Sequence, residues 1–159
     1  DLRYHKGRRT REKWIAPGTK EEFERLLGAK ISKWHEHGYN GIFQFCTSED
    51  PLVYHCDPQS YAAAVYLTPN APPQCGTSFF RSKNLPHVRK LPQDPNIFSQ
   101  VFGGGFYDKT QFELVDVVGN VYNRLVIWDA QLIHSASEYF GNSLNNSRLF
   151  HLFFFDIEK

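Results

Sequence analysis

In the stretch "VYHCDPQSY", His55 and Asp57 stand two apart with Cys56 between them. Side chains two apart on an extended segment leave by the same face, so the imidazole and the carboxylate can converge while Cys56 turns away as a small filler. Such a pair suits a divalent first-row metal, and two His plus one carboxylate, with coordination positions left open, suit non-haem Fe(II). The missing ligand should be a His on a neighbouring strand, and His134 is the best candidate. It follows "NRLVIWDAQLI", a strand and then a short turn. Farther on, Arg148 heads "RLFHLFFFD". A buried arginine there requires an anionic partner, and a ligand carboxylate gripped by the planar guanidinium fork would supply one.

Those residues need a scaffold. "TKEEFERLLGAKISKWHEHG" predicts a helix, with Thr19 as N-cap, Glu22 as its capping-box partner and Gly38 as the stop. Phe23, Leu26, Leu27, Ile31 and Trp34 form its apolar stripe. His35 and His37 then fall on different helix faces and are expected at the surface. Seven strand candidates follow: "GIFQFCT", "PLVYHCD", "YAAAVYLT", "GTSFFRS", "QFELVDVVG", "NRLVIWDA" and "RLFHLFFFD". Gly119-Asn120 reads as a hairpin turn. Residues 82–110, with three prolines and a triple glycine, read as a long loop or an inserted excursion, a kind of segment that is often functional. The "FGGGF" glycines lack the strand-to-helix setting of a phosphate loop. One domain over 1–159 is expected, with an arm and helix over 1–38 and a β-rich core over 39–159. The fold class is mainly β (α+β), an antiparallel sandwich or barrel-like double sheet.

Composition supports a packed core: 41% of residues are apolar and 16% aromatic. A net charge of +1 provides no overall field for nucleic acid or a membrane surface, so neither is an expected partner. The basic run "RYHKGRRTREK" reads as a solvated terminus. Three cysteines without CxxC spacing argue against a disulfide framework and a zinc knuckle. With no signal peptide and no apolar run of membrane length, the expected setting is the reducing cytoplasm.

The order His-x-Asp, distal His, then a basic residue resembles the 2-oxoglutarate/Fe(II)-dependent dioxygenases, above all their prolyl-4-hydroxylase-like branch. The likeness extends along most of the chain. "NGIFQFCTSEDPLVYHCD" resembles the run into the family's His-x-Asp, and "AAAVYLT" the next strand. "QCGTSFF" resembles its Gly-Gly turn and strand, with Cys75 in place of the first glycine. "NRLVIWDAQLIHSASE" resembles the strand and turn that carry the distal His. The resemblance implies a double-stranded β-helix, a jelly-roll or cupin-like barrel flanked by the N-terminal helix. It implies Fe(II) on His55, Asp57 and His134, with O2 and 2-oxoglutarate as cosubstrates. Arg148 would bind the distal carboxylate of 2-oxoglutarate, with Tyr66 on that same carboxylate. If Tyr66 faces inward, Ala62 and Ala64 do too, leaving room for the cosubstrate. The insert "EYFGNSLNNS" lengthens the gap from His134 to Arg148. Arg124 and His151 are the other polar strand candidates, His151 on the opposite parity to Arg148. The implied activity is hydroxylation of a small-molecule or peptidyl substrate. The rivals are a non-catalytic cupin-like ligand-binding domain and a non-oxidative metal enzyme on the same fold.

Overall fold

The computed structural model describes residues 6–34, 36 and 38–158. Over these residues the chain is mainly β, with two α-helices and two antiparallel sheets. Its elements run β1 (Arg8–Arg9), α1 (Thr19–Leu27), β2 (Ile31–Lys33), β3 (Ile42–Cys46), β4 (Tyr61–Tyr66), β5 (Thr77–Ser82), α2 (Pro95–Phe102), β6 (Phe112–Val118), β7 (Leu125–Asp129), β8 (His134–Ala136) and β9 (Arg148–Ile157). A 3-10 turn, Lys109–Gln111, leads into β6. The larger sheet has the order β1-β3-β9-β4-β7, with β2 paired to the end of β9; the smaller is β6-β5-β8.

Strand parity sorts the core into layers. On β4, Ala62, Ala64 and Tyr66 share one face, opposite Phe154, Leu152 and Phe150 of β9. That face, with Ile42, Cys46 and Val126, turns toward the smaller sheet. Contacts such as Phe79 against Trp128, ring centroids 6.2 Å apart, close the space between the sheets. The opposite parity, Ala63, Phe153 and Phe155, packs with Phe23 of α1, Ile31 and Trp34. Helix α2 covers the far side of the smaller sheet, where Val101 and Phe102 meet Phe80, Phe112, Tyr54 and Ile133. Burial of these apolar faces is the main force holding the layers.

The predicted helix over 19–38 is half that length. Gly28 takes the left-handed conformation (φ 65°) and its N–H reaches Glu24 O, ending α1. The N-cap position is Gly18, with no side-chain cap, and Thr19 Oγ1 donates to Ala16 O instead. The apolar stripe survives the break: Phe23 from the helix and Ile31 from β2 enter the same cluster. The predicted surface residues His35 and His37 lie outside the described residues.

Six of the seven strand candidates form strands. "PLVYHCD" does not; it makes a single antiparallel bridge, His55 to His134. Gly119-Asn120 is no hairpin, because β6 and β7 belong to different sheets. The long loop over 82–110 contains α2, started by Asp94, whose carboxylate accepts from Asn96 N, and by Pro95 in the first turn. The basic terminus is not merely solvated. Arg8 and Arg9 pair with Phe45 and Gln44 of β3, while residues 3–5 of that run fall outside the described residues. Cys46, Cys56 and Cys75 are all free. Among the described residues no helix is long and apolar enough to cross a membrane.

Candidate metal centre

The bridge that replaces a predicted strand builds the centre. His55 N donates to His134 O (3.0 Å) and His134 N donates to His55 O (2.9 Å). Directly opposed residues in such a pair send their side chains to one face. The imidazole centroids accordingly lie 4.4 Å apart. Asp57 N donates to Ala130 O (2.9 Å), which fixes the third residue beside the turn before His134.

His55, Asp57 and His134 offer ligand atoms that all lie within 4.8 Å of one another. Asp57 Oδ2 is 3.3 Å from His134 Nε2 and 3.7 Å from His55 Nε2. Each ring is oriented from behind: His55 Nδ1 meets Val53 O at 3.0 Å and His134 Nδ1 meets Leu132 O at 2.7 Å. A carbonyl only accepts, so the proton sits on Nδ1 and the Nε2 lone pair turns toward Asp57. Metal-ligating histidines are held in this way by backbone carbonyls. Burial, reinforced by the neighbouring His134, lowers the His55 pKa to about 4, keeping a lone pair for a ligand at neutral pH. Burial works to raise the Asp57 pKa, but the two imidazoles outweigh it and hold the carboxylate below its ordinary value. The donor set fits a divalent first-row metal, with one face open.

The three residues line a cavity of about 520 Å³ between the sheets, shared with Arg148, Thr77, Trp128, Ala64 and Phe150. Trp128 stands edge-on to His134 at 5.4 Å. Two atoms of the lining residues, Trp128 Nε1 and Ser135 Oγ, are buried with no hydrogen-bond partner among the described residues. Unpaired polar atoms of this kind are uncommon in a finished interior.

Arg148 is 4% exposed, and among the described residues no carboxylate pairs with it. Its Nε donates to Cys75 O (3.1 Å), and Nη2 donates to Gly76 O (3.1 Å) and Thr77 Oγ1 (3.4 Å). The guanidinium also lies 4.3 Å from the Phe150 ring centroid. The anionic partner expected for a buried arginine is therefore not supplied by its neighbours; backbone carbonyls and rings hold it. Tyr66 is inward, as are Ala62 and Ala64, but it is fully buried and its hydroxyl bonds Thr77 Oγ1 at 2.7 Å. It is joined to the cavity through Thr77 rather than lining it. Cys56 packs away from the centre against the α2 cluster.

The other candidates do not join the site. Arg124 is exposed and donates to Gly119 O. His151 faces the opposite side, stacked on Phe43 at 4.2 Å, with its Nε2 2.8 Å from Trp14 O. Asn40 is structural, bonding Trp34 O and Phe154 N. Sequence reasoning missed Arg9, Lys6, Gln44 and Tyr139, all of which line the cavity. Gln44 alone carried a signal: it shares parity with Ile42 and Cys46 on an otherwise apolar strand face.

Comparison with known proteins finds no family model, no curated protein and no solved structure that matches this chain.

Proposed function

We propose that the chain is an Fe(II)/2-oxoglutarate-dependent oxygenase, a hydroxylase of a small-molecule or peptidyl substrate, wound as a double-stranded β-helix. The observation that carries the reading is one cavity holding a His-Asp-His donor set beside a buried arginine that has no carboxylate partner among the described residues. Strand order supports the fold. From β3 onward the chain passes to the His55 bridge beside β8, back to β4, across to β5 and β6, back to β7, across to β8 and finally back to β9. Alternation of this kind between two antiparallel sheets is what a jelly-roll winding would produce.

His55, Asp57 and His134 would hold the iron, which with 2-oxoglutarate and O2 supplies the oxidising chemistry. The protein's own part is placement. Val53 O and Leu132 O keep both Nε2 atoms presented to the cavity. Arg148, seated on Cys75 O and Gly76 O, presents its fork to the distal carboxylate of 2-oxoglutarate. Tyr66 acts on that end through Thr77. Phe150, Leu152, Phe154 and Trp128 exclude water from the reacting bond.

The test is anaerobic addition of Fe(II) and then 2-oxoglutarate, followed by visible absorption. A charge-transfer band in the wild type that disappears in His134→Ala is the expected result. No band with wild-type protein refutes the oxygenase. Succinate release coupled to O2 uptake then separates an enzyme from a binding domain.

A further inference from the structure

Arg9 lines the same cavity and takes no part in the metal centre. It lies on β1, directly opposite Gln44 of β3, and Gln44 faces inward beside Phe150. Gln44 is buried and holds the arm by both ends of its amide. Its Oε1 accepts from Arg9 Nε at 2.7 Å, and its Nε2 donates to Lys6 O at 2.6 Å. The Arg9 guanidinium rests on the Tyr39 ring, 4.7 Å from its centroid. Nε is thus engaged, while the two Nη groups have no protein acceptor among the described residues, and no carboxylate pairs with Arg9 there. A half-buried arginine fork with both terminal nitrogens unused is a preorganised carboxylate receptor.

Charge balance points the same way. Among the described residues the cavity is lined by Lys6, Arg9 and Arg148 against one carboxylate, that of Asp57. A divalent metal and a doubly charged 2-oxoglutarate cancel each other, so the positive excess persists when both are bound. The two arginines are also separate sites. Arg148 stands opposite Cys46 on β9 and Arg9 opposite Gln44 on β1, with β3 between them, a lateral spacing of roughly 10 Å. Their heads are pinned to different partners, Arg148 to Cys75 O and Gly76 O, Arg9 to Gln44 and Tyr39.

We propose that Arg9 receives the carboxylate of the primary substrate, a small carboxylic acid whose apolar body lies against Tyr39, Leu152 and Phe154. The assignment rests on the oxygenase reading of the metal centre. It makes the N-terminal arm, through β1, a specificity element rather than a tail.

The experiment titrates wild type, Arg9→Gln, Arg9→Lys and Arg148→Gln with aryl and alkyl carboxylic acids, each paired with the alcohol of the same skeleton. Intrinsic tryptophan fluorescence reports binding, with Mn(II) and 2-oxoglutarate present and again in their absence. The wild type should bind at least one acid about tenfold or more tighter than its alcohol, as a charge-assisted pair implies. Arg9→Gln should bring the acid to the level of the alcohol, and Arg9→Lys should fall between. Arg148→Gln should lose 2-oxoglutarate and keep the preference for acid in the metal-free protein. Equal binding of every acid and its alcohol by the wild type, or an unchanged preference in Arg9→Gln with an unchanged melting temperature, overturns the assignment. So does loss of 2-oxoglutarate in Arg9→Gln with its retention in Arg148→Gln, because Arg9 would then be the cosubstrate clamp. Failure of the wild type to bind 2-oxoglutarate while the Arg9-dependent preference persists without metal refutes the oxygenase reading alone.

Discussion

His55 and His134 exchange both of their backbone hydrogen bonds, at 3.0 and 2.9 Å, across an isolated bridge at the edge of the smaller sheet. One local pairing therefore places both imidazoles, and each ring is then turned by the carbonyl two residues before it. Replacing His134 removes a proposed ligand but leaves the bridge, which is made of backbone. Loss of an outer-shell partner alone costs about 10–100-fold in metal affinity, so His134→Ala should weaken Mn(II) binding by more than about 100-fold. Calorimetric titration checks this, and circular dichroism should show an unchanged fold.

Arg148 has a structural duty besides its proposed clamp. It supplies a second donor to Cys75 O and to Gly76 O in the interior, beside Asn120 Nδ2 and Ser137 N. Arg148→Met removes one charge-assisted donor from each carbonyl, which keep Asn120 Nδ2 on Cys75 O and Ser137 N on Gly76 O, and should destabilise the ligand-free protein by about 1–3 kcal/mol in urea unfolding. Arg148→Lys retains the charge without the fork and should lose less stability, yet bind 2-oxoglutarate poorly.

Gly76 is constrained by space. A Cβ there would meet Val118 O at 1.8 Å and Asn120 N at 2.9 Å, both backbone atoms that cannot swing aside. Gly76→Ala should push β6 from β5 and unseat Arg148, costing about 1–3 kcal/mol or more. Thermal unfolding reads the loss. A parallel drop in 2-oxoglutarate affinity is expected, because Gly76 O accepts from Arg148.

His151 supplies a pH dependence outside the cavity. Burial lowers its pKa below the ordinary value of 6.5, so the unfolded chain takes up the proton more readily. Its contribution to stability is therefore full above about pH 6.5 and is lost as pH falls through the folded value. In metal-free protein, His151→Gln should show a shallower fall in stability from pH 7 to 5, by at most one proton's worth of slope. An identical slope in both proteins removes His151 as a cause.

Much of this is legible in the sequence. Apolar runs rich in Tyr, Val and Phe and bounded by turn residues exposed "YAAAVYL" and "RLFHLFFFD" as strands, and parity within each strand put Ala64 on the face of Tyr66 and His151 on the face away from Arg148. Local signals failed where partners lay far away. Ile31 and Trp34 continued the helical stripe of Phe23, yet β9 captured Ile31 into a strand once Gly28 had ended the helix. Asp94-Pro95 announced α2 in a stretch whose prolines and glycines suggested a loop.

By themselves the residues determined the chemical kinds, an imidazole and a carboxylate two apart, a distal histidine and an arginine in an apolar strand. Only the tertiary structure decided that these four share one cavity, that Arg148 is held by carbonyls and rings rather than a carboxylate, and that Arg9 joins them. Side-chain alternation is a property of one strand, readable over a few residues. Which strands meet, and which terminal arm closes the sheet edge, is set by long-range pairing, and no short stretch of sequence encodes it.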